Sequence, residues 1–152
     1  TLARNNLPAQ CLMLEVTERG LVDIEAARPA LQAARQIGAS IALDDFGTGY
    51  SSLSMLESID IDTLKIDRIF IASIGAQAAI SPVTTHIIEM AHTLQLALIA
   101  EGVETQDQVD FLIARGVRQA QGWKFARAMP LGDLLAGLRA SGRATPADAA
   151  GM

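Results

Sequence analysis

Short apolar segments and longer amphipathic segments alternate along the chain. Five apolar segments have the length and composition of buried strands, at residues 11–16, 40–43, 62–66, 97–100 and 117–120. Helical patterns separate or follow them, at residues 25–37, 51–56, 82–94, 105–114 and 131–138. Thr105 and Gln108 form the capping pattern that is typical of a helix start. The alternation predicts a parallel sheet covered by helices.

Two architectures contain such a sheet, the open doubly wound fold and the closed (β/α)8 barrel. Polar residues at or near the carboxyl ends of the five predicted strands favour the barrel; they are Glu15, Asp44, Lys65, Glu101 and Gln121. A barrel gathers its strand ends around one rim, where active sites lie. An open sheet brings together only the residues near its switch point.

Composition narrows the possible partners. The chain has 152 residues, of which 50% are hydrophobic, and its formal net charge is −5. This charge argues against binding to a nucleic-acid polymer, and no apolar run is long enough to insert into a membrane. Cys11 is the single cysteine and is expected to be buried. The chain starts at Thr1 and looks like a piece of a longer polypeptide, with a flexible tail at residues 141–152.

The acidic residues at the predicted strand ends suit a site for hard divalent cations. The carboxylates expected to converge are Glu15, Asp44, Asp45 and Glu101, with Glu104 close by. An all-oxygen cluster binds magnesium, manganese or calcium, and adjacent aspartates are able to serve two ions. Such a pair clamps a phosphate and activates water, while Lys65 orients that water or offsets charge on the phosphoryl oxygens.

Other interpretations of the same residues remain open. Asp44 and Asp45 are compatible with a capped turn at a helix start. Glu15 or Glu101 is compatible with a salt bridge to Lys65, without any metal. Glu18 and Glu104 fit a structural role better than a catalytic one.

Five motifs occur in order, namely LEVTE at residues 14–18, DDFGTGYSSL at 44–53, LKID at 64–67, AEGVE at 100–104 and QGW at 121–123. Together they closely resemble the EAL-domain phosphodiesterases, which hydrolyse cyclic di-GMP to linear pGpG. The resemblance covers approximately residues 7–138. It implies an α/β fold of the TIM-like (β/α)8 type, of which residues 1–140 supply about the last five βα units.

The resemblance also implies cofactors and residue roles. Two magnesium or manganese ions are expected, with calcium inhibitory. The implied metal ligands are Glu15, Asp44 between the two ions, Asp45 on the second ion, and Glu101. Lys65 is expected to contact the nucleophilic water and Gln121 to act as a partner of that water, so that Lys65, Glu101 and Gln121 form the catalytic set. Supporting or substrate-binding roles fall to Glu18, Gly47, Thr48, Gly49, Asp67 and Glu104.

Departures from the family pattern qualify the expected activity. The Glu-Ala-Leu signature and the following metal-ligand Asn are absent, and both are expected upstream of Thr1. The chain alone is therefore expected to be weakly active or inactive, and the alternative function is a cyclic di-GMP sensor without turnover. The resemblance further implies a homodimer through the loop after Asp45, upstream sensory or diguanylate cyclase domains, and a cytoplasmic location, and it is compatible with a membrane-anchored parent protein.

Overall fold

The computed structural model describes residues 2–21, 23–47, 56, 59–75 and 82–141. Thr48 and Gly49, almost all of the helix expected at 51–56, and the tail after Ser141 lie outside these residues. Within them, none of the helices combines the length and the apolar character needed to cross a bilayer.

The centre of the fold is a five-stranded sheet whose strands are all parallel and follow one another in chain order. The strands are β1 (Met13–Thr17), β2 (Ser40–Phe46), β3 (Thr63–Ile66), β4 (Ala97–Ala100) and β5 (Gln119–Ala120). A doubly wound sheet reverses its strand order at a switch point, and this sheet does not. The sequential order is that of consecutive strands in a (β/α)8 barrel, as the sequence predicted.

Helices connect the strands or follow them. They are α1 (Ile24–Gln36), α2 (Arg68–Ala72), α3 (Pro82–Thr93), α4 (Gln106–Ala114) and α5 (Leu131–Ala140), with 3-10 turns at Ala3–Asn5, Ala9–Cys11 and Glu18–Leu21. The Asp23 side chain caps α1 by accepting a hydrogen bond from Ala26 N. Thr105 and Gln108 form the predicted capping box at the start of α4.

Strand β3 lies in the middle of the sheet, and all four of its residues are buried. Leu64 and Ile66 belong to the hydrophobic core, together with Ile71 and Ile88 from the helices. Side chains alternate across a strand, so Lys65 points to the face opposite Leu64 and Ile66. A buried ammonium needs anionic partners, so carboxylates are expected around the Lys65 side chain.

The structure corrects several details of the sequence interpretation. Strand β2 continues through Asp44 and Asp45 to Phe46, so the two aspartates lie in a strand and do not cap a helix. Helix α2 is too short to show a periodic pattern and was not predicted. Cys11 ends a 3-10 turn just before β1 and is exposed, because the predicted strand begins two residues later, at Met13.

Candidate active site

Lys65 is the centre of an ionic cluster at the carboxyl ends of the strands. Its side chain is only 5% exposed, and its Nζ lies 2.9 Å from Glu15 Oε1, 3.0 Å from Asp44 Oδ1 and 2.7 Å from Glu101 Oε1. Glu15 comes from β1, Asp44 from β2, and Glu101 directly follows β4. Three of the predicted strand-end carboxylates thus converge on the central strand, and the salt bridges considered for Glu15 and Glu101 are present.

Burial and the three carboxylates act on Lys65 in opposite directions. Burial by itself lowers the pKa of the ammonium, but the hydrogen bonds to Glu101, Glu15 and Asp44 outweigh it and raise the pKa above its ordinary value. The direction of this shift keeps Lys65 protonated at neutral pH, as a cation and hydrogen-bond donor.

Gln121 joins the cluster through Glu101. Its Nε2 donates a hydrogen bond of 2.7 Å to Glu101 Oε1, the same oxygen that contacts Lys65. The backbone after β5 is held against the loop after β4, because Val103 N donates to Gln121 O and Lys124 N donates to Val103 O. A Cβ at Gly122 would lie 2.2 Å from Val103 O, so this contact requires glycine at that position.

A break in the strand pairing allows two adjacent aspartates to serve the same rim. The register between β2 and β3 shifts between Leu43 and Phe46, and Asp45 has a φ of +56°. In a regular strand Asp44 and Asp45 would face opposite sides of the sheet. Here Asp44 contacts Lys65, while the carboxyl of Asp45 lies close enough to that of Asp67, the N-cap residue of α2, for the two to interact electrostatically.

The surroundings of Asp45 are electrostatically unfavourable for its charge. Burial, the charge of Asp44 and the interaction with Asp67 all raise the pKa of the Asp45 carboxyl, and Lys65 only partly opposes this. Negative charge at this side of the rim therefore exceeds what Lys65 neutralises. An additional cation near Asp44, Asp45 and Asp67 would relieve it.

The remaining predicted residues have distinct positions. Glu18 is buried in the 3-10 turn after β1, whereas Glu104 is exposed, with its backbone N–H bound to Gln108 Oε1. Gly47 has a φ of +90°, and a Cβ there would lie 2.8 Å from Phe70 Cζ. Both the backbone conformation and the nearby Phe70 ring therefore favour glycine at this position. Thr48 and Gly49, predicted as supporting residues, lie outside the described residues.

The donor set fits a hard divalent cation by its chemistry. Five carboxylates lie at this rim, those of Glu15, Asp44, Asp45, Asp67 and Glu101, and Lys65 neutralises them only in part. In the described ranges, no three His, Cys, Asp or Glu side chains surround one common position for a metal. Glu15, Asp44 and Glu101 each place one oxygen against the Lys65 ammonium.

Sequence reasoning missed three residues that hold the site together. Phe70 packs under Gly47, and Gly102, with a φ of +70°, fits closely against Arg68 Cβ. Gln108, recognised only as a capping residue, also donates from Nε2 to Ile71 O. All three contacts involve α2. They were missed because no pattern in the sequence predicts this five-residue helix.

With this geometry in place, comparison with known proteins identifies the family. The family model described as the EAL domain matches residues 1–128. The chain belongs to the EAL domain family. This membership agrees with the five motifs, with the parallel sheet and with the position of the acidic rim.

Named relatives of this EAL chain are 44% and 46% identical to it over most of its length. The probable cyclic di-GMP phosphodiesterase PdeB of Escherichia coli is 46% identical over 124 residues, which are 82% of this chain and 23% of PdeB. The cyclic di-GMP phosphodiesterase NbdA of Pseudomonas aeruginosa is 44% identical over 140 residues, 91% of this chain and 18% of NbdA. The chain thus spans about a quarter or less of these relatives.

Solved EAL structures share the fold. The PaMucR phosphodiesterase in complex with c-di-GMP superposes with a TM-score of 0.80 at 39% identity, over 88% of this chain and 54% of that one. Klebsiella pneumoniae BlrP1, in a complex with manganese and cyclic di-GMP, gives a TM-score of 0.72 at 32% identity, over 83% of this chain and 32% of that one. EAL-domain proteins of this fold therefore include one that was solved with the nucleotide and manganese together.

Proposed function

We propose that residues 1–140 form the C-terminal part of an EAL domain, about the last five βα units, which hydrolyses cyclic di-GMP to linear pGpG with divalent metal ions. The observation that carries the proposal is the Lys65 ammonium in contact with carboxylates from β1, from β2 and from the end of β4. Residues so distant in sequence converge at the rim where barrels of this kind have their active sites. The names of PdeB and NbdA and the c-di-GMP complex of PaMucR support this substrate.

In this proposal Glu15, Asp44, Asp45 and Glu101 hold magnesium or manganese. Bound ions of this type polarise a phosphoryl oxygen and make water acidic enough to supply hydroxide. Manganese in the BlrP1 complex supports the choice of metal. Calcium prefers more ligands and a looser geometry than magnesium, so we propose that it binds here and inhibits.

Lys65 and Gln121 provide the polar groups that orient the reactants. The buried Lys65 ammonium donates hydrogen bonds and places a fixed positive charge where negative charge builds on the phosphoryl group. Gln121 donates its amide N–H to Glu101, which leaves its amide oxygen to accept a hydrogen bond from the attacking water. Both groups are positioned before substrate arrives, so little reorganisation accompanies the reaction.

The proposal extends to assembly and location. We propose a homodimer formed through the loop after Asp45, upstream sensory or diguanylate cyclase domains in the same polypeptide, and a cytoplasmic location. The support is the family membership, together with the small share of PdeB and NbdA that the chain spans.

Hydrolysis by the complete EAL domain that contains this chain tests the proposal. Purified domain is incubated with cyclic di-GMP and Mn²⁺ or Mg²⁺, and linear pGpG is separated by anion-exchange chromatography. Asp44→Asn removes a carboxylate that would bind metal in this proposal, and it should lower turnover by about 100-fold or more. Asp133→Asn, the same change in the exposed first turn of α5, is the control and should retain full turnover.

The outcomes separate the two functions considered for the fold. Metal-dependent production of pGpG, lost in Asp44→Asn and kept in Asp133→Asn, supports the hydrolase. Binding of cyclic di-GMP without any product, measured by calorimetry, replaces it with the sensor function. Absence of both binding and hydrolysis in a folded domain rejects the substrate assignment.

A further inference from the structure

Gln108 is a buried polar side chain that makes more hydrogen bonds than its capping role requires. Its Oε1 accepts hydrogen bonds from Glu104 N at 2.7 Å and Thr105 N at 3.0 Å. Its Nε2 donates to Ile71 O at 3.1 Å, across 37 residues of sequence. A capping box needs only an acceptor, which Glu provides as well as Gln. The amide donor therefore has a separate function.

The contact joins two segments that both end in the ionic rim. Ile71 belongs to α2, whose N-cap residue Asp67 follows Lys65 by two residues and interacts electrostatically with Asp45. Glu104 and Thr105 end the loop that begins with Glu101. The Gln108 side chain therefore links α2, which begins directly after Asp67, to the loop that begins at Glu101.

A second contact between the same segments lies closer to the rim. Gly102 sits against Arg68, at the first turn of α2, where a Cβ on the glycine would approach Arg68 Cβ to 2.6 Å. The loop from Glu101 to Thr105 is therefore held against α2 near its start by Gly102 and near its end by Gln108. Two fixed points define both the distance and the angle between loop and helix, whereas one contact would leave a hinge.

We propose that Gln108 is a positioning residue for the metal-binding rim, which sets the place of Glu101 relative to Asp67 and Asp45 through its bond to Ile71 O. This inference rests on the proposed function for its catalytic consequence. Residues that orient metal ligands from behind typically change metal affinity or activity by about 10–100-fold when altered. A shift of the loop would move the Glu101 carboxylate. Its Oε1 atom, which contacts both Lys65 Nζ and Gln121 Nε2, would move with it.

The variant Gln108→Glu isolates the amide donor. It keeps the side-chain length and the capping acceptor, but it removes the N–H that binds Ile71 O and sets a carboxylate oxygen against that carbonyl. Gln106→Glu is the matched control, since it makes the same change two residues earlier, at an exposed position of the same helix. Gln106 donates to Asp110, so its contact stays within α4.

Three measurements on the complete domain decide the matter: Mn²⁺ affinity by calorimetry, backbone amide exchange, and hydrolysis of cyclic di-GMP. Gln108→Glu should weaken Mn²⁺ binding and lower kcat/KM about tenfold or more. It should also speed amide exchange in α2 and leave exchange in α4 unchanged. Gln106→Glu should match the unaltered domain in all three.

Other results overturn the proposal. Unchanged Mn²⁺ affinity in Gln108→Glu shows that the bond to Ile71 does not position the rim. Faster exchange in both α2 and α4 shows that Gln108 acts only through overall stability. Manganese binding and exchange decide these outcomes even if the domain does not hydrolyse cyclic di-GMP, so the failure of this inference and the failure of the proposed function are distinguishable.

Discussion

Replacing Lys65 with methionine tests the ionic cluster most directly. Methionine is also unbranched, so Lys65→Met removes the charge and keeps most of the packing of the side-chain stem. In the structure the ammonium is shared by Glu15, Asp44 and Glu101 at distances of 2.9, 3.0 and 2.7 Å. The variant leaves these three carboxylates close together without the cation between them.

The expected loss of stability depends on how open each ion pair is to water. The Glu15 side chain is 50% exposed, and a pair of that kind contributes about 0–1 kcal/mol. The side chains of Asp44 and Glu101 are 20% and 18% exposed, closer to the buried case, in which removing one partner costs about 3–5 kcal/mol. Because both carboxylates keep some contact with water, we expect the free energy of unfolding to fall by about 3 kcal/mol without metal.

The pH dependence of this loss follows from the raised pKa of Lys65. Its folded-state pKa lies above the unfolded value of about 10.4, so the stabilisation is fully present below that value and is lost as the pH rises through the folded pKa. The difference in unfolding free energy between the unaltered protein and Lys65→Met should therefore be constant from about pH 7 to pH 9. Above about pH 10.4 it should decrease.

Urea unfolding followed by circular dichroism, in EDTA and over this pH range, measures the difference. Lys124→Met is the matched control, because Lys124 is exposed and lies in the loop after β5; its unfolding free energy should change by no more than about 0.5 kcal/mol. Hydrolysis of cyclic di-GMP should fall by about 100-fold or more in Lys65→Met only. An unfolding midpoint equal to that of Lys124→Met would refute the idea that the three carboxylates depend on one ammonium.

Two further variants test the break in strand pairing at Asp45 and the glycine that follows β2, Gly47. Asp45→Asn removes a carboxyl whose raised pKa makes its ionised form unfavourable at neutral pH, so the metal-free protein should become more resistant to urea while Mn²⁺ binding weakens; a lower urea midpoint would contradict this. Gly47→Ala places a methyl group against the Phe70 ring in a backbone region that costs about 1–2 kcal/mol. Its urea midpoint should fall, and it should fall less in a Phe70→Leu background, whereas equal losses would exclude the contact.

The sequence predicted the parts of the fold that have clear local signals. Strand β4 and helix α4 were placed correctly, because an apolar run and a capping box define their limits. The convergence of strand-end polar residues followed from the parallel topology, since parallel strands in register end at one rim. The contacts of Glu15, Asp44 and Glu101 with Lys65 confirm that convergence.

The parts that the sequence did not predict depend on tertiary contacts. Aspartate is disfavoured in strands, yet Asp44 is paired with Thr17 and Phe46 with Ile66, so the sheet carries the acidic pair inside β2. Five-residue helix α2 has no periodic pattern of its own and is stabilised by its N-cap and by packing. A residue such as Gln108 looks like a simple cap until α2 is in place to accept its N–H.

The strand register explains why a lysine on β3 reaches acids from both sides. Ala42 on β2 is paired with Glu15 on β1 and with Thr63 on β3, so a fully buried, small side chain separates β1 from β3 in the row beneath the cluster. With only a methyl group there, the Lys65 ammonium on β3 contacts Glu15 on β1, two strands away. On its other side, Lys65 is paired with Ile99, and Glu101 follows two residues later. A lysine on an edge strand would have such neighbours on one side only, and therefore the central position of β3 is what makes a three-carboxylate cluster possible.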